Sequence, residues 1–291
     1  MALEGRWPAD WSYQGENGPA HWGELHPSYS KCARGRVQSP VDLGKATTRS
    51  RRSTVRVAFH PIRYEIFNDG RGIRAVPLET QHPIRIDRHD YTLKHIVFRA
   101  PSEHTFQGRH YPLEAQLVYE ADDGALAVLA TVFTPGHSNP SLAALTRQPL
   151  AEGQRRVLDK PLGTRVLLPR RLPHLRLNGS LTTPPCTEGV NWVVFTQPVQ
   201  ATRAQIDAMT RLIGQPNNHP VQPAQGVRGG PGWQTRHLRR IRGRRIGSRQ
   251  VLHRSDRACP FRQARPRDRA RPGDPPRRPG TGAPHQEEVW T

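Results

Sequence analysis

The sequence predicts a mainly β domain built on antiparallel strand pairs, followed by a disordered C-terminal tail. Three observations predict it: short β-rich runs separated by Gly, Pro, Asn and Asp, a scarcity of helical periodicity, and an abrupt change of composition after Pro223.

The runs follow one another as Thr54 to Phe59, Tyr64 to Phe67, Gly72 to Val76, His95 to Phe98, Ala115 to Tyr119, Leu126 to Phe133, Arg165 to Leu168 and Asn191 to Phe195. Strands so spaced, without regular helices between them, pair with their neighbours in antiparallel fashion. Two segments carry helical spacing, Ser141 to Thr146 and Ala201 to Ile213. In the second, Ile206, Met209, Leu212 and Ile213 share a face and Thr202 is placed to act as the N-cap. No internal repeat is present.

Of the 291 residues, those from Ala224 to Thr291 hold seventeen Arg, no Lys and five acidic residues, so this quarter carries most of the formal charge of +20. Such Pro- and Gly-rich sequence buries too little apolar surface to offset ordering entropy. A basic arm contacting nucleic acid or an anionic surface, a solvated tail without a role, and out-of-frame translation of GC-rich DNA are all open for it. The longest apolar run, Leu126 to Phe133, suits a buried strand and is far short of a membrane span. The N-terminus places Glu4 and Asp10 where an export signal has a basic start and an apolar run, so none is expected. Three cysteines, Cys32, Cys186 and Cys259, are too few for a disulfide scaffold, and none forms a CxxC zinc pattern.

Four stretches together carry a resemblance: Trp11 to Leu25 with Cys32 to Leu43, Tyr91 to Tyr119, Asn178 to Phe195, and Asn217 to Pro223. In order and spacing they resemble the α-class carbonic anhydrases across about residues 8–228, leaving 1–7 as an extension and 229–291 as the tail. The resemblance implies an α-carbonic anhydrase-like fold, a large central, mostly antiparallel twisted sheet with short peripheral helices and a conical cleft. It also implies a zinc ion held by three histidines, two from a His-x-His pair on one strand and the third from its neighbour. Alternate residues of a strand project to one face, which is why that spacing makes a metal site. Zinc lowers the pKa of its bound water to about 7, giving the hydroxide that attacks carbon dioxide.

The three ligand positions fall here on Val97, Arg99 and Gln116. Val97 has no lone pair, Gln116 offers a neutral amide oxygen to a metal that prefers nitrogen and sulfur, and Arg99 is a permanent cation. No cofactor is therefore expected where the family carries zinc. The proton-shuttle position is Arg71, which cannot cycle a proton near pH 7 as His does. The rest of the family pattern is kept. Thr182 and Glu103 match its hydrogen-bond relay, while Val118, Leu181, Thr183 and Trp192 match pocket positions. Cys32 and Cys186 match the disulfide of exported members, which implies a periplasmic or secreted setting despite the absent signal.

His95 shares strand parity with Val97 and Arg99, and His104 matches a structural residue; a relocated metal site is the lesser reading of either. His82, His89 and His110 read as loop or strand-edge residues. A buried Arg99 requires a carboxylate, and Glu103 and Glu114 are the candidates. Incomplete pairing would leave a guanidinium able to bind a small anion such as bicarbonate. The leading expectation is an acatalytic carbonic-anhydrase-like domain of unknown partner, a binding module or a decaying gene product. A zinc carbonic anhydrase with residual activity, and nucleic-acid or anionic-surface binding through the tail, are the alternatives.

Overall fold

The structure is a computed structural model and describes residues 9–44, 55–57, 60–79 and 83–223. The extension 1–7, His82, Cys259 and the Arg-rich tail lie outside the described residues.

Thirteen strands are present among them: β1 (Val55–Val57), β2 (Tyr64–Asn68), β3 (Ile73–Pro77), β4 (Pro83–Ile86), β5 (His89–Arg99), β6 (Thr105–Phe106), β7 (Arg109–His110), β8 (Leu113–Glu120), β9 (Leu126–Pro135), β10 (Arg155–Val157), β11 (His174–Ser180), β12 (Glu188–Phe195) and β13 (Val199–Ala201). Eleven form one sheet, ordered β10-β2-β3-β5-β8-β9-β12-β11, with β1 joined through β4 to β5 and β13 beside β9. The pairings are antiparallel except β12 and β13 against β9. The mainly β, mostly antiparallel architecture expected from the sequence is thus the architecture observed.

Four short α-helices flank the sheet: α1 (Trp22–Leu25), α2 (Ser30–Arg34), α3 (Pro140–Leu145) and α4 (Arg203–Ile213). Thr202 caps α4 as its position predicts. Its hydroxyl accepts from the Gln205 amide at 3.2 Å while the Gln205 side chain accepts from the Thr202 amide at 3.1 Å, a reciprocal capping box. Ile206, Met209 and Ile213 bury the apolar face of α4, together with Leu142 and Leu145 of α3, against one face of the sheet. That face is the main core, where Ile96 and Phe98 of β5 meet Ala115, Leu117 and Tyr119 of β8 and Leu129 and Phe133 of β9. Each of the Ile, Leu and Phe side chains among them contributes about 1.5–3 kcal/mol by leaving water. The intervening residues of β5 and β8 face the opposite way, and they build the site.

One expected strand is not a strand. Thr164–Leu167 forms a 3-10 turn, because the Arg165 guanidinium donates to the carbonyls of Leu168, Pro169 and Arg170 and folds the chain around itself. Conversely, β11 pairs along its length with β12, although its sequence, HLRLNGS, mixes charged and turn-forming residues. Cys32 and Cys186 are joined in a disulfide spanning 154 residues, with Cys186 part of a buried cluster of Trp11, Tyr13, Trp22 and Tyr29 and Cys32 packed against it. Among the described residues no helix is long and apolar enough to cross a membrane.

Candidate functional site

Strand β5 sets the site by changing face midway. Tyr91 and Leu93 belong to the main core, yet so do Ile96 and Phe98, and the parity change is absorbed by a bulge between Leu93 and His95. Val97 and Arg99 consequently project from the other face. The register then places Val97 opposite Gln116 and Arg99 opposite Glu114 on β8, with Arg74 of β3 opposite Val97 on the far side. The three positions expected to hold metal in the family are therefore adjacent on one face of two neighbouring strands.

Arg99 occupies the middle of this constellation. Its side chain is only 9% exposed, Nη1 donates to the Tyr13 hydroxyl at 2.6 Å, and Nε lies 3.4 Å from Glu103 Oε2 without the alignment of a hydrogen bond. The guanidinium also lies over the Tyr13 ring, 5.6 Å from its centroid. Burial works to lower the Arg99 pKa, but Glu103 above all, then Tyr13, Asp69 and Glu114, outweigh it, so the group stays charged. Burial pushes the Tyr13 phenol up, so it remains a neutral acceptor.

Glu103 is fully buried and its oxygens are committed. Oε2 accepts from Gln116 Nε2 at 2.7 Å beside Arg99, and Oε1 accepts from the His219 amide at 3.0 Å. Gln116 also donates to Glu114 Oε1 at 3.0 Å. Glu114 Oε2 in turn accepts from the amides of Glu103 and His104, and the His104 ring lies 3.1 Å from Oε1. Burial alone would raise the Glu114 pKa, but the neighbouring His104 and the hydrogen bonds from His104 and Gln116 bring it below the usual carboxylate range. His104 is thus bonded inside the fold, as expected of a structural residue.

The Thr182–Glu103 relay is not formed. Thr182 is buried, but no hydrogen bond joins it to Glu103, whose oxygens are taken by Arg99, Gln116 and the His219 amide. Trp192 donates from Nε1 to the Ser180 carbonyl at 3.0 Å and meets the His104 ring edge-on, within a second apolar cluster shared with Val118 and Leu181. Thr183 instead lines a small, partly open cleft together with Trp11, Asp69, Arg71, Arg74, Val97 and Arg99.

Arg71 stands in the turn Asn68-Asp69-Gly70-Arg71, where Gly70 takes a positive φ of 74° that other residues rarely adopt. Its guanidinium lies over Trp11 at 4.7 Å, donates from Nε to the Trp11 carbonyl at 2.7 Å and pairs with Asp10. Arg74 pairs with Asp69 at 2.9 Å. His95 is a neutral imidazole, since burial, with Arg74 and Arg99 adding, lowers its pKa to about 3. His89 and His110 sit exposed at strand ends. Among the described residues no group of three or more His, Cys, Asp or Glu side chains is placed to hold a metal ion.

Tyr13, Arg74 and His219 are site residues that sequence reasoning passed over. Asn217, buried, explains how the last comes to be there: its side chain bonds the Ala100 amide and the Phe98 and Arg71 carbonyls, pinning the NNHP segment to the end of β5. The signal in the sequence was the NNHPVQP stretch itself.

The sequence matches the family model of the eukaryotic-type carbonic anhydrases over residues 17–249. It is 38% identical over 217 residues to a carbonic anhydrase of Pectobacterium carotovorum, covering 74% of this chain and 88% of that one. Among solved structures it resembles the α-carbonic anhydrase of Thermovibrio ammonificans in complex with the inhibitor sulfanilamide, at 39% identity and a TM-score of 0.71, covering 74% of this chain and 96% of the other. It also resembles dioscorin complexed with ascorbate, at 28% identity and a TM-score of 0.64, covering 74% and 94%. The protein belongs to the eukaryotic-type carbonic anhydrase family.

Proposed function

We propose that this chain is an acatalytic member of the family, in which a buried polar network takes the place of the zinc centre. The observation that carries the reading is Arg99, a charged and buried guanidinium standing at a ligand position and anchored by Glu103 and Tyr13. The family's zinc does not fit this donor set. Val97 supplies no lone pair, Arg99 no neutral donor, and Gln116 only a neutral amide oxygen, its nitrogen being held by Glu103 and Glu114. A divalent cation at this point would also meet the Arg99 charge without solvent to screen it.

Charge balance gives the network its own logic. Removing water from a guanidinium and a carboxylate costs several kcal/mol each, and only close pairing with further hydrogen bonds recovers it. Glu103 satisfies that condition through Arg99, Gln116 and the His219 amide. The carboxylate of Glu103 is thereby satisfied by groups of this chain alone. The dioscorin relative, a member of the same fold, is complexed with ascorbate, a small organic acid.

A second reading, a zinc carbonic anhydrase with residual activity, is favoured by the naming of the similar bacterial proteins as carbonic anhydrases and by the buried Glu103 and Thr182 at their family positions. Stopped-flow carbon dioxide hydration at pH 8, with and without a sulfonamide inhibitor, separates the two. The proposal expects a rate equal to buffer alone. An inhibitor-sensitive rate above it would establish the second reading.

A further inference from the structure

The cations of the described residues are unevenly spread. Residues 147–176 hold eight Arg or Lys against two acidic residues, Glu152 and Asp159, whereas the other described residues hold fourteen basic and sixteen acidic ones. The segment passes from β10, at one edge of the large sheet, to β11 at the other. Seven strand spacings of about 4.8 Å separate those edges, roughly 30 Å in a twisted sheet. Along the way Leu158, Leu162, Leu167 and Leu168 turn into the main core. Helix α3 and its cap hold the segment in place, Asn139 donating to the Val166 carbonyl at 2.7 Å and Ser141 to that of Gly163 at 3.1 Å. With leucines turned inward and cations outward, it forms a fixed basic belt across this side of the sheet.

The charges differ in how far the protein itself compensates them. Arg155 pairs with Glu65 and Arg176 with Asp87. Arg156 donates to the uncharged Gln148 side chain at 2.8 Å. Arg147, Lys160, Arg170 and Arg171 are exposed, and none of them joins an ion pair among the described residues. Seven of the eight cations are arginines, whose planar fork meets sulfate, phosphate or carboxylate oxygens two at a time. The belt contains no Phe, Tyr or Trp on which bases could stack, which disfavours single-stranded nucleic acid. Its exposed large apolar side chains are Val157 and Val166, too little to anchor in a bilayer. What such a surface fits is an extended chain of repeated oxyanions, recognised by charge. The Cys32–Cys186 disulfide persists in oxidising compartments, which favours an anionic polysaccharide over nucleic acid as that chain.

We infer that residues 147–176 form a docking surface for a linear anionic polysaccharide, held chiefly through Arg147, Lys160, Arg170 and Arg171. The inference is independent of the metal-free reading of the site. It is tested on the full chain at physiological ionic strength, with a heparin oligosaccharide as the probe. Arginine modification by phenylglyoxal, followed residue by residue by mass spectrometry, reports which guanidinium groups the oligosaccharide covers. The expected result at saturation is about fivefold slower modification of Arg147, Arg170 and Arg171. Arg34 and Arg36, also exposed but outside the belt, should react at an unchanged rate. R170Q/R171Q is expected to weaken binding about threefold, while R34Q/R36Q, which removes the same charge, leaves it unaltered. An unprotected belt, protection shared equally by Arg34 and Arg36, or equal weakening by the two double variants overturns the inference. Stronger protection of the belt by a DNA duplex, or by phosphatidylglycerol vesicles at matched charge, overturns it too and makes that polyanion the partner.

Discussion

Arg99 and Glu103 form an asymmetric pair, and the asymmetry is testable. Glu103 retains Gln116 and the His219 amide when Arg99 is removed, whereas Arg99 without Glu103 keeps one hydrogen bond, to a neutral phenol, and the weaker influence of Asp69 and Glu114. E103Q should therefore cost about 3–5 kcal/mol in urea unfolding, as expected for an uncompensated buried charge, and R99M distinctly less. Equal costs would show that Arg99 is not held by that carboxylate. His95 contributes a pH effect. Its folded pKa of about 3 lies below the ordinary 6.5, so the unfolded chain gains a proton first as the solution is acidified. Stability is complete above pH 6.5 and falls as pH drops toward 3, and H95Q should flatten that part of a stability-against-pH curve. The Arg99 partner was legible in the sequence as far as the choice between Glu103 and Glu114, because a buried cation demands a nearby carboxylate. Tyr13 was not legible, lying 86 residues away with no local pattern to announce it.

At the level of elements, the β5–β8 register decides the site. Alternation of side chains placed Val97 and Arg99 on one face from sequence alone, but the bulge at Leu93 and His95 could not be read, since Leu93 and Ile96 look equally apolar in either phase. Capping chemistry made α4 readable down to Thr202, a strong local signal. Strand β11 was not readable, as its order comes from pairing with β12 and not from its own residues. The preserved register makes a direct prediction. V97H/R99H/Q116H should acquire zinc at about one ion per chain by elemental analysis, because the three positions already face one another across adjacent strands. Failure of a folded triple variant to take up zinc would mean that the surrounding network, and not the ligand residues, excludes the metal.

For the molecule as a whole, the disulfide and the Glu188 clamp hold the N-terminal segment onto the sheet. Glu188 at the start of β12 accepts from the Val37 amide, Gln38 and Lys31, which holds its pKa near 2, so this clamp weakens only as pH falls from about 4.5 toward 2. Closing a loop of 154 residues restricts the unfolded chain, and replacing Cys32 and Cys186 together by Ala should cost about 2–5 kcal/mol. An unchanged melting temperature would contradict that role. The mainly β class and the family were both readable because four separated stretches agreed. The assembly of Trp11, Tyr13, Trp22 and His219 into one aromatic cluster needed the tertiary structure, with His219 stacked on Trp22 at 4.9 Å. The central claim is that this carbonic anhydrase fold carries a polar network where its family carries zinc. The most direct measurement is zinc per chain, by elemental analysis, in protein purified without chelator, incubated with excess zinc and exhaustively dialysed. A value near zero is the predicted result, and one tightly held zinc per chain would contradict the account.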